Sequence, residues 1–510
     1  MKARNPMVWM ILFFWMVAGF KAEAQKDSAS IKLSFEQALQ ITRQNSHVLK
    51  EVGYLQEEKD QEAKAAKGLH SPKIGLSANY LLMSDDITMD LSPVKTALEP
   101  LYLAAIHNSG AYVGYPNLDP ATQTVVPTLT DAQTRQFMGS ALTTIDKQDW
   151  NQMIQKKQFG TVNATVQWPI FTGGKINAAN KAAEIEQKDV ADVLSQKEGE
   201  LISELAERYF GLCLARQAVL VRKDVLDGLN QHLQDAIKIE EQGLIPNADV
   251  LHAKVYFAQA QREYSKAKRT ADILNQALVN TLALQNDSTI IPVSNLFYLD
   301  AIEPKDHFIA MAKDRNPLLR QVESKKQLAE QGYKAEKSNY FPTVAAIGSY
   351  TLVDKNLSPY APNWMAGVGL NWTLFDGTAR SRKIKSAALK RQQVEEIEEK
   401  AQNDIETGIN KLYEELNMYH EQLQELESAL TSAKEYVRVR EKAFHDEMSN
   451  STEVVDARLA LSQVRIERLQ AMYGYDTTLS KLLQLSGNPD EFTIYQQRND
   501  AKFENYNSEK

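Results

Sequence analysis

Three carboxylates stand where they could act together on a charged solute. Glu453 and Asp456 are three residues apart, which puts them on one face of a helix, and Asp249 follows a Gly-Leu-Ile-Pro-Asn break at 243–247. Repeated by symmetry, such groups form acidic rings that favour cations or basic solutes. In the first turn of a helix, Asp249 and Glu453 would equally well stabilise the N-terminus against its dipole. Nothing nearby suggests catalysis. The eight histidines are scattered without zinc-ligand spacing, and the single cysteine, Cys213, cannot close an internal disulfide. Its residue type and setting fit a small packed side chain. No nucleophile elbow, phosphate loop or glycine-rich dinucleotide turn occurs. No enzymatic activity, metal or cofactor is expected.

The elements that carry these carboxylates announce themselves by period. Leu205, Leu212, Val219, Leu226 and Leu233 recur every seventh residue, as do Ile409, Leu416, Leu423, Leu430 and Val437. A strict heptad keeps one stripe of a helix against a left-handed supercoiled neighbour. The two sets are offset by 204 residues throughout, and so are Tyr209 with Tyr413 and Trp168 with Trp372. The chain is a tandem duplication of one elongated unit.

Composition narrows the class. Hydrophobic residues make up 43% and charged residues 24%, which specifies an ordered chain. The net charge of −8 argues against a nucleic-acid partner. Lys2 and Arg4, the apolar run Met7 to Phe20 and the small-x-small site Ala22-Glu23-Ala24 spell a signal peptide over 1–24, with the mature chain starting near Gln25. No cysteine follows that site, so lipidation there is not supported. No other apolar run reaches the roughly 20 residues of a membrane helix. If the protein spans a membrane, it does so with strands.

The first repeat is expected over 25–286. A helix over 35–67 stops at Ser71-Pro72. A strand follows over about 73–82, with Ile74, Leu76, Ala78 and Tyr80 on one face and small or polar residues on the other. Residues 83–159 show no sustained period and several prolines, and read as a long loop with short helical pieces. A second strand covers about 160–171, and a helical hairpin covers about 175–284. Its first helix, at ~1.5 Å per residue, would be on the order of 100 Å long. Asn247 is the expected N-cap of its return helix. After a connector at 287–304, the second repeat, 305–489, gives strands at about 343–353 and 364–375 and a hairpin at about 380–486. The polar tail 490–510 is expected to be poorly ordered. The offset between repeats is 270 before the first loop and 204 after it, so that loop carries about 66 extra residues.

The fold class is therefore mostly α with a small membrane β contribution. The apolar strand faces bear Tyr80, Trp168, Tyr350 and Trp372, as lipid-facing strands bear aromatic residues at the two interfaces. Four strands cannot close, and an open edge in lipid leaves backbone groups unsatisfied. A homotrimer would supply ~12 strands, within the range of membrane barrels, with the helices continuing as a coiled-coil tunnel. The alternative is a periplasmic coiled-coil scaffold or adhesin stalk without a pore, with the alternating segments soluble.

The chain resembles the TolC-type outer membrane efflux family over nearly its whole mature length. The resemblance is carried by Asn316-Pro317-Leu318-Leu319, by Trp168-Pro169-Ile170-Phe171-Thr172-Gly173-Gly174 and Trp372-Thr373-Leu374-Phe375-Asp376-Gly377, and by the tips 243–251 and 451–457. It implies a trimeric exit duct in the outer membrane of a Gram-negative bacterium, its helices projecting into the periplasm. It implies service to an efflux or type I secretion system through a periplasmic adaptor and an inner-membrane pump of RND or ABC type. Outer membrane lipid would be a further partner. It also assigns the periplasmic entrance and adaptor contact to Gly243, Leu244, Asn247 and Asp249 in the first tip and to Ser449, Thr452, Glu453 and Asp456 in the second. Pro246 stands where the family's usual residue is threonine, and Glu447 stands in the second tip where the first has Gly243.

Overall fold

The computed structural model describes residues 30–108, 131–284, 288–446 and 448–504. The expected signal peptide lies outside them, as do Glu447 and the last residues of the tail. In chain order the elements are β1 (Ser30–Leu33), α1 (Phe35–Asn45), α2 (His47–Lys67), β2 (Lys73–Leu82), β3 (Ile87–Asp90), α3 (Ser92–Asn108), α4 (Asp131–Lys147), β4 (Asn151–Gln155), β5 (Gln158–Phe171), α5 (Lys175–Glu241) and α6 (Asn247–Thr281). Then come β6 (Thr289–Pro292), β7 (Phe297–Leu299), α7 (Lys305–Arg315), α8 (Pro317–Ser338), β8 (Thr343–Lys355), β9 (Trp364–Asn371), α9 (Ala379–His445), α10 (Ser451–Leu485), α11 (Glu491–Gln496) and β10 (Ala501–Phe503). Among the described residues no helix is long and apolar enough to cross a membrane. Two compact units result: one built from the chain up to Ala63, Lys181–Gly332 and the chain from Ser386, the other from Lys64–Asn180 and Tyr333–Lys385.

The first unit is helical. Helices α5 and α9 are each 67 residues long, and α6 and α10 are each 35. Leu205, Leu212, Leu226 and Leu233 of the first heptad stripe are buried, as are Ile409, Leu416, Leu423 and Leu430 of the second. Val219 and Val437 are half-buried. The two repeats make similar hydrogen bonds, displaced by one residue at each end from strict equivalence. Asn45, at the α1–α2 break, donates to Leu282 O at 3.2 Å, and Asn316, at the α7–α8 break, donates to Leu485 O at 2.7 Å. Each bond satisfies a carbonyl at the end of a return helix.

The connector from residue 288 and the tail as far as residue 504 are folded, which corrects the expected disorder of the tail's first part. Strand β1 pairs in parallel with β6, and β7 pairs antiparallel with β10. Polar side chains from the helices fix these short strands. Tyr209 Oη donates to Leu33 O at 2.7 Å and accepts from Val293 and Ser294 N–H. Asn275 Oδ1 accepts from Ile290 N–H at 2.7 Å, and Asp476 Oδ2 accepts from Phe297 N–H at 3.3 Å. What orders the tail is Phe492. It is fully buried, with ring centroids 5.1 Å from Phe35, 5.7 Å from Phe210 and 5.8 Å from Phe297. One aromatic side chain of that size outweighs the polarity of its neighbours.

In the second unit the strand order is β2-β5-β8-β9, all antiparallel. β2 and β9 each keep one edge unpaired in this sheet. The segment read as a loop holds more regular structure than expected. β3 and β4 form a ribbon, and α3 and α4 are helices of 17 residues each. Asp90 Oδ1 accepts from Ser92 N–H at 2.9 Å and starts α3, while the Trp150 indole donates to Ile145 O at 2.8 Å and closes the end of α4. The prolines hid this. Pro93 falls in the first turn of α3, where proline is tolerated, although Pro100 lies inside that helix.

Burial pushes the Asp476 carboxyl well above the usual carboxylate range, and its Oδ1 has no partner among the described residues. The unfolded chain ionises this group above about pH 4, whereas the folded chain retains the proton to higher pH. Stability is therefore full in acid and falls as pH rises through the folded value. Asp476→Asn should raise the melting temperature at pH 8 and leave it little changed at pH 4. Equal melting shifts at both pH values would disprove a protonated carboxyl.

Candidate functional site: sheet faces and hairpin tips

Register decides which side chains share a face. Val166 stands opposite Ile74 and Gly348, and Ala164 stands opposite Leu76 and Tyr350. Ala346 stands opposite Val368, and Tyr350 opposite Trp364. Most of the apolar positions of the four strands thus fall on one face of one sheet, Ile347 and Met365 being exceptions. Thr161, Asn163, Thr165, Ser349 and Thr351 fall on the other, where Thr351 Oγ1 donates to Asn163 Oδ1 at 3.0 Å. The apolar face is open: Leu76 is 74% exposed and Val368 is 68% exposed. Tyr80, Trp168 and Tyr350 lie on it, together with Trp364, which sequence reasoning did not single out. Trp372 lies one residue past the end of β9. The strand expected to reach 375 stops at Asn371, because Leu374 O accepts from the Arg380 guanidinium and Gly377 and Thr378, both at positive φ, turn the chain into α9.

The two tryptophans shared by the repeats have one task. Trp168 Nε1 donates to His70 O at 2.9 Å, and Trp372 Nε1 donates to Tyr340 O at 3.1 Å. Each indole therefore ties a strand to the turn that follows the preceding helix. Sequence offset paired these tryptophans but could not show the bond.

The tips close in the same way twice. At the end of α5, Gly243 (φ +75) donates to Glu240 O, and Leu244 N–H reaches back to Ile239 O at 3.2 Å. At the end of α9, Met448 N–H reaches Ala443 O at 2.7 Å. This backward bond satisfies carbonyls that a helix end leaves free. Leu244 and Met448, 204 residues apart, are both exposed, at 52% and 82%. The expected N-cap Asn247 is instead the first residue of α6. The extended residue before it is Pro246, which has no side-chain cap to offer. In the second tip the cap is Asn450, whose Oδ1 accepts from Glu453 N–H at 3.0 Å.

The expected tip residues divide on inspection. Asn247, Thr452 and Asp456 are exposed and Asp249 is half-buried in the first turn of α6. Glu453 is not a free acid, because Oε2 accepts from Arg440 Nη1 and from Ser449 Oγ, both at 2.6 Å. Beneath the tips, His232 is buried on α5. Its Nε2 lies 2.7 Å from Ser451 Oγ and its ring packs edge-on against Phe444 at 4.6 Å. Arg458 of α10 pairs with Glu441 and lies so close to Gly228 that a Cβ there would overlap its guanidinium. Arg465 pairs with Asp224 at 2.8 Å. These arginines pin α10 against α5 and α9. No group of three or more metal-ligating side chains occurs among the described residues.

A family model described as outer membrane efflux protein matches residues 136–284 and 308–488. The chain belongs to the outer membrane efflux protein family. It is an outer membrane protein of the TolC type, and its family is one of channels rather than enzymes. Protein CyaE of Bordetella pertussis is 24% identical over 263 residues, covering 49% of this chain and 54% of CyaE, so the chain spans about half the length of that relative. A membrane protein from Pseudomonas aeruginosa aligns with a TM-score of 0.67 at 12% identity, over 89% of this chain and 90% of that one. The open-state MtrE outer membrane channel of Neisseria gonorrhoeae aligns with a TM-score of 0.64 at 13% identity, over 89% of each chain. At such identities the likeness establishes the fold, a set of long helix pairs with small sheets.

The tip of this efflux-family chain is pH-sensitive through His232. Burial, and secondarily the charge of Arg458, lower its pKa to about 4. Asp235 acts the other way, and His252 and His445 oppose protonation further. The neutral ring belongs to the folded state, so its contribution is complete above about pH 6.5 and is lost as pH falls towards 4. The loss is on the order of 2–3 kcal/mol. Amide exchange at 451–455 should accelerate over that interval, and His232→Gln should remove the dependence. A flat profile in the native protein would contradict the assignment.

Proposed function

We propose that the chain is the exit duct of an efflux or type I secretion system, in which three copies close a twelve-stranded barrel in the outer membrane. One observation carries this. The sheet has an open apolar face edged with aromatic residues, a second face of mainly small and polar residues that also carries Ile347 and Met365, and two unpaired edges. Water cannot satisfy those edges in lipid, but neighbouring copies can. The aromatic positions support closure with tilted strands. Barrel strands lean, so residues at one height are staggered by roughly one to two positions per strand. That stagger brings Trp168 level with Trp372, and Tyr80 level with Tyr350 and Trp364. Between the two belts the strands run on the order of 20–25 Å, close to the ~25 Å band of a membrane barrel.

The chain is then organised as a leader over 1–24, a first repeat over 25–286, a connector over 287–304, a second repeat over 305–489 and a tail. The small polar face lines the duct, and the long helices carry it across the periplasm. The tips form the entrance and meet a periplasmic adaptor coupled to an inner-membrane pump of RND or ABC type. Leu244 and Met448 offer exposed apolar contacts at equivalent positions, and Gly243, Asn247, Asp249, Ser449, Thr452 and Asp456 surround them. Glu453, held by Arg440, orders its tip.

Two neighbouring substitutions separate the duct from a poreless scaffold. Leu76→Arg places a charge on the lipid face near mid-height and should cost ~2–4 kcal/mol of assembly. Ser77→Arg faces the lumen and should leave the trimer intact while altering conductance. The readout is oligomeric mass after detergent extraction from outer membranes. A native protein that extracts as a monomer, or two variants that behave alike, would defeat the barrel.

A further inference from the structure

The four short segments where helices enter and leave the sheet, residues 64–73, 172–180, 333–342 and 376–385, contain ten lysines and arginines and two carboxylates. The whole chain carries −8, so the sign of the charge reverses locally. Contacts knit the segments into one collar. His70 Nε2 lies 3.1 Å from Asn177 Oδ1. Gly173 passes so close to the end of α8 that a Cβ there would stand 2.6 Å from Ser338 O. Arg380 donates to Asn339 O at 3.2 Å and lies 5.1 Å over the Tyr340 ring.

Both carboxylates of the collar are occupied. Asp376 pairs with Arg380 at 2.9 Å, and Glu336 accepts from Asn339 at 3.2 Å. Lys67 and Lys175 at the first elbow remain exposed, with no ion-pair partner among the described residues. The same holds for Lys337, Arg382, Lys383 and Lys385 at the second. Lys73 lies on the polar face of β2 and is set aside.

This cationic collar adjoins the lower rim of the apolar face. Trp168 and Trp372 touch its turns through the bonds to His70 O and Tyr340 O. Phe341 is 52% exposed and Phe375 is 83% exposed. A cleft of about 390 Å³, lined by Ile170, Phe171, Phe341 and His70, opens beside them. Unpaired cations bordering exposed rings match a layer of phosphate head groups above acyl chains.

We propose that this collar docks anionic phospholipid head groups of the periplasmic leaflet and fixes the depth of the channel in the membrane. The occupant follows from continuity with the face argued above to meet hydrocarbon, and the proposal rests on that reading. Six unpaired cations per chain, repeated in a trimer, would form a closed ring at one depth.

The test uses the assembled full-length protein in vesicles of phosphatidylcholine, with and without phosphatidylglycerol. Tryptophan quenching by brominated phosphatidylglycerol, relative to brominated phosphatidylcholine, reads the lipid bound at the depth of Trp168 and Trp372 once Trp150 and Trp364 are replaced by Phe in every protein compared. The native protein should prefer phosphatidylglycerol about three- to tenfold at low salt, falling towards parity near 0.5 M salt. The combined variant Lys337→Gln, Arg382→Gln, Lys383→Gln, Lys385→Gln should show parity throughout with unchanged oligomeric mass. Lys67→Gln with Lys175→Gln, a milder change, should give an intermediate preference. Equal quenching in the native protein, or a preference that survives in both variants, would overturn the collar. So would an altered anion-to-cation permeability ratio with lipid preference intact, since the charges would then line the duct. Failure of the native protein to insert into phosphatidylcholine alone would bring down the lipid-facing sheet and this proposal together. Insertion without lipid preference would bring down the collar alone.

Discussion

The proposed duct depends on two unpaired strand edges. If the open apolar face of this four-stranded sheet meets hydrocarbon, the sheet cannot end in lipid, because each free N–H and C=O there costs several kcal/mol. β2 and β9 present such edges. The duplication explains why the number is four: each repeat contributes one antiparallel pair, and β5 against β8 joins the pairs. A single repeat would leave the same two edges with half the strands between them. In the proposed duct, closure would have to come from copies of the chain, so the barrel and the oligomer stand or fall together.

Within the symmetry the repeats have diverged in ways that divide labour. The first carries the insertion with α3 and α4, and the second supplies the short loop that receives it. Gln155 donates to Asn356 O at 2.8 Å and accepts from Ser358 N–H at 2.7 Å, so one side chain joins the two loops. Along the helices, α10 of the second repeat brings Arg458 and Arg465, and α5 of the first brings Gly228 and Asp224 to receive them. The equivalent elbows also differ. Gly173 and Gly174 take positive φ in the first, but Gly377 and Thr378 do so in the second. A β-branched residue at φ +73 is strained, and Arg380, held by Asp376, Asn339 and Leu374, braces the turn that contains it.

How much of this could be read from sequence depends on the range of the signal. A seven-residue period over five successive positions and a two-residue period along each strand are local and repeated, so the hairpins, the four strands of the larger sheet and the duplication were legible. β1, β6, β7 and β10 were not. They are three or four residues long, and their partners lie over 200 residues away. Phe492 sits in a polar tail, and only its partners Phe35, Phe210 and Phe297 reveal it as core. The tip was legible as a place but not as a mechanism. Glu453 and Asp456 share a helix face in the sequence, yet Arg440, thirteen residues upstream across the turn, claims Glu453. Asn247 looked like a cap, whereas proline before it set the helix start and Asn450 capped the other tip.

The distribution of charge is the last consequence of the fold. The open apolar strand face excludes charge, and heptad stripes exclude it from the seams. Ionisable groups are left to the exposed helix surfaces, the tips and the elbows. On the helix surfaces many are paired, as Lys59 is with Glu62 and Glu186 and Lys326 is with Glu398. Exposed pairs of that kind contribute little to stability, but each cancels its own charge. The elbows differ because their two carboxylates are spent on holding turns, so six cations stay uncompensated beside aromatic side chains. An uncompensated cluster repels itself in a chain that has acidic residues to spare elsewhere. The head-group layer proposed above would supply the missing charge at the rim of the sheet.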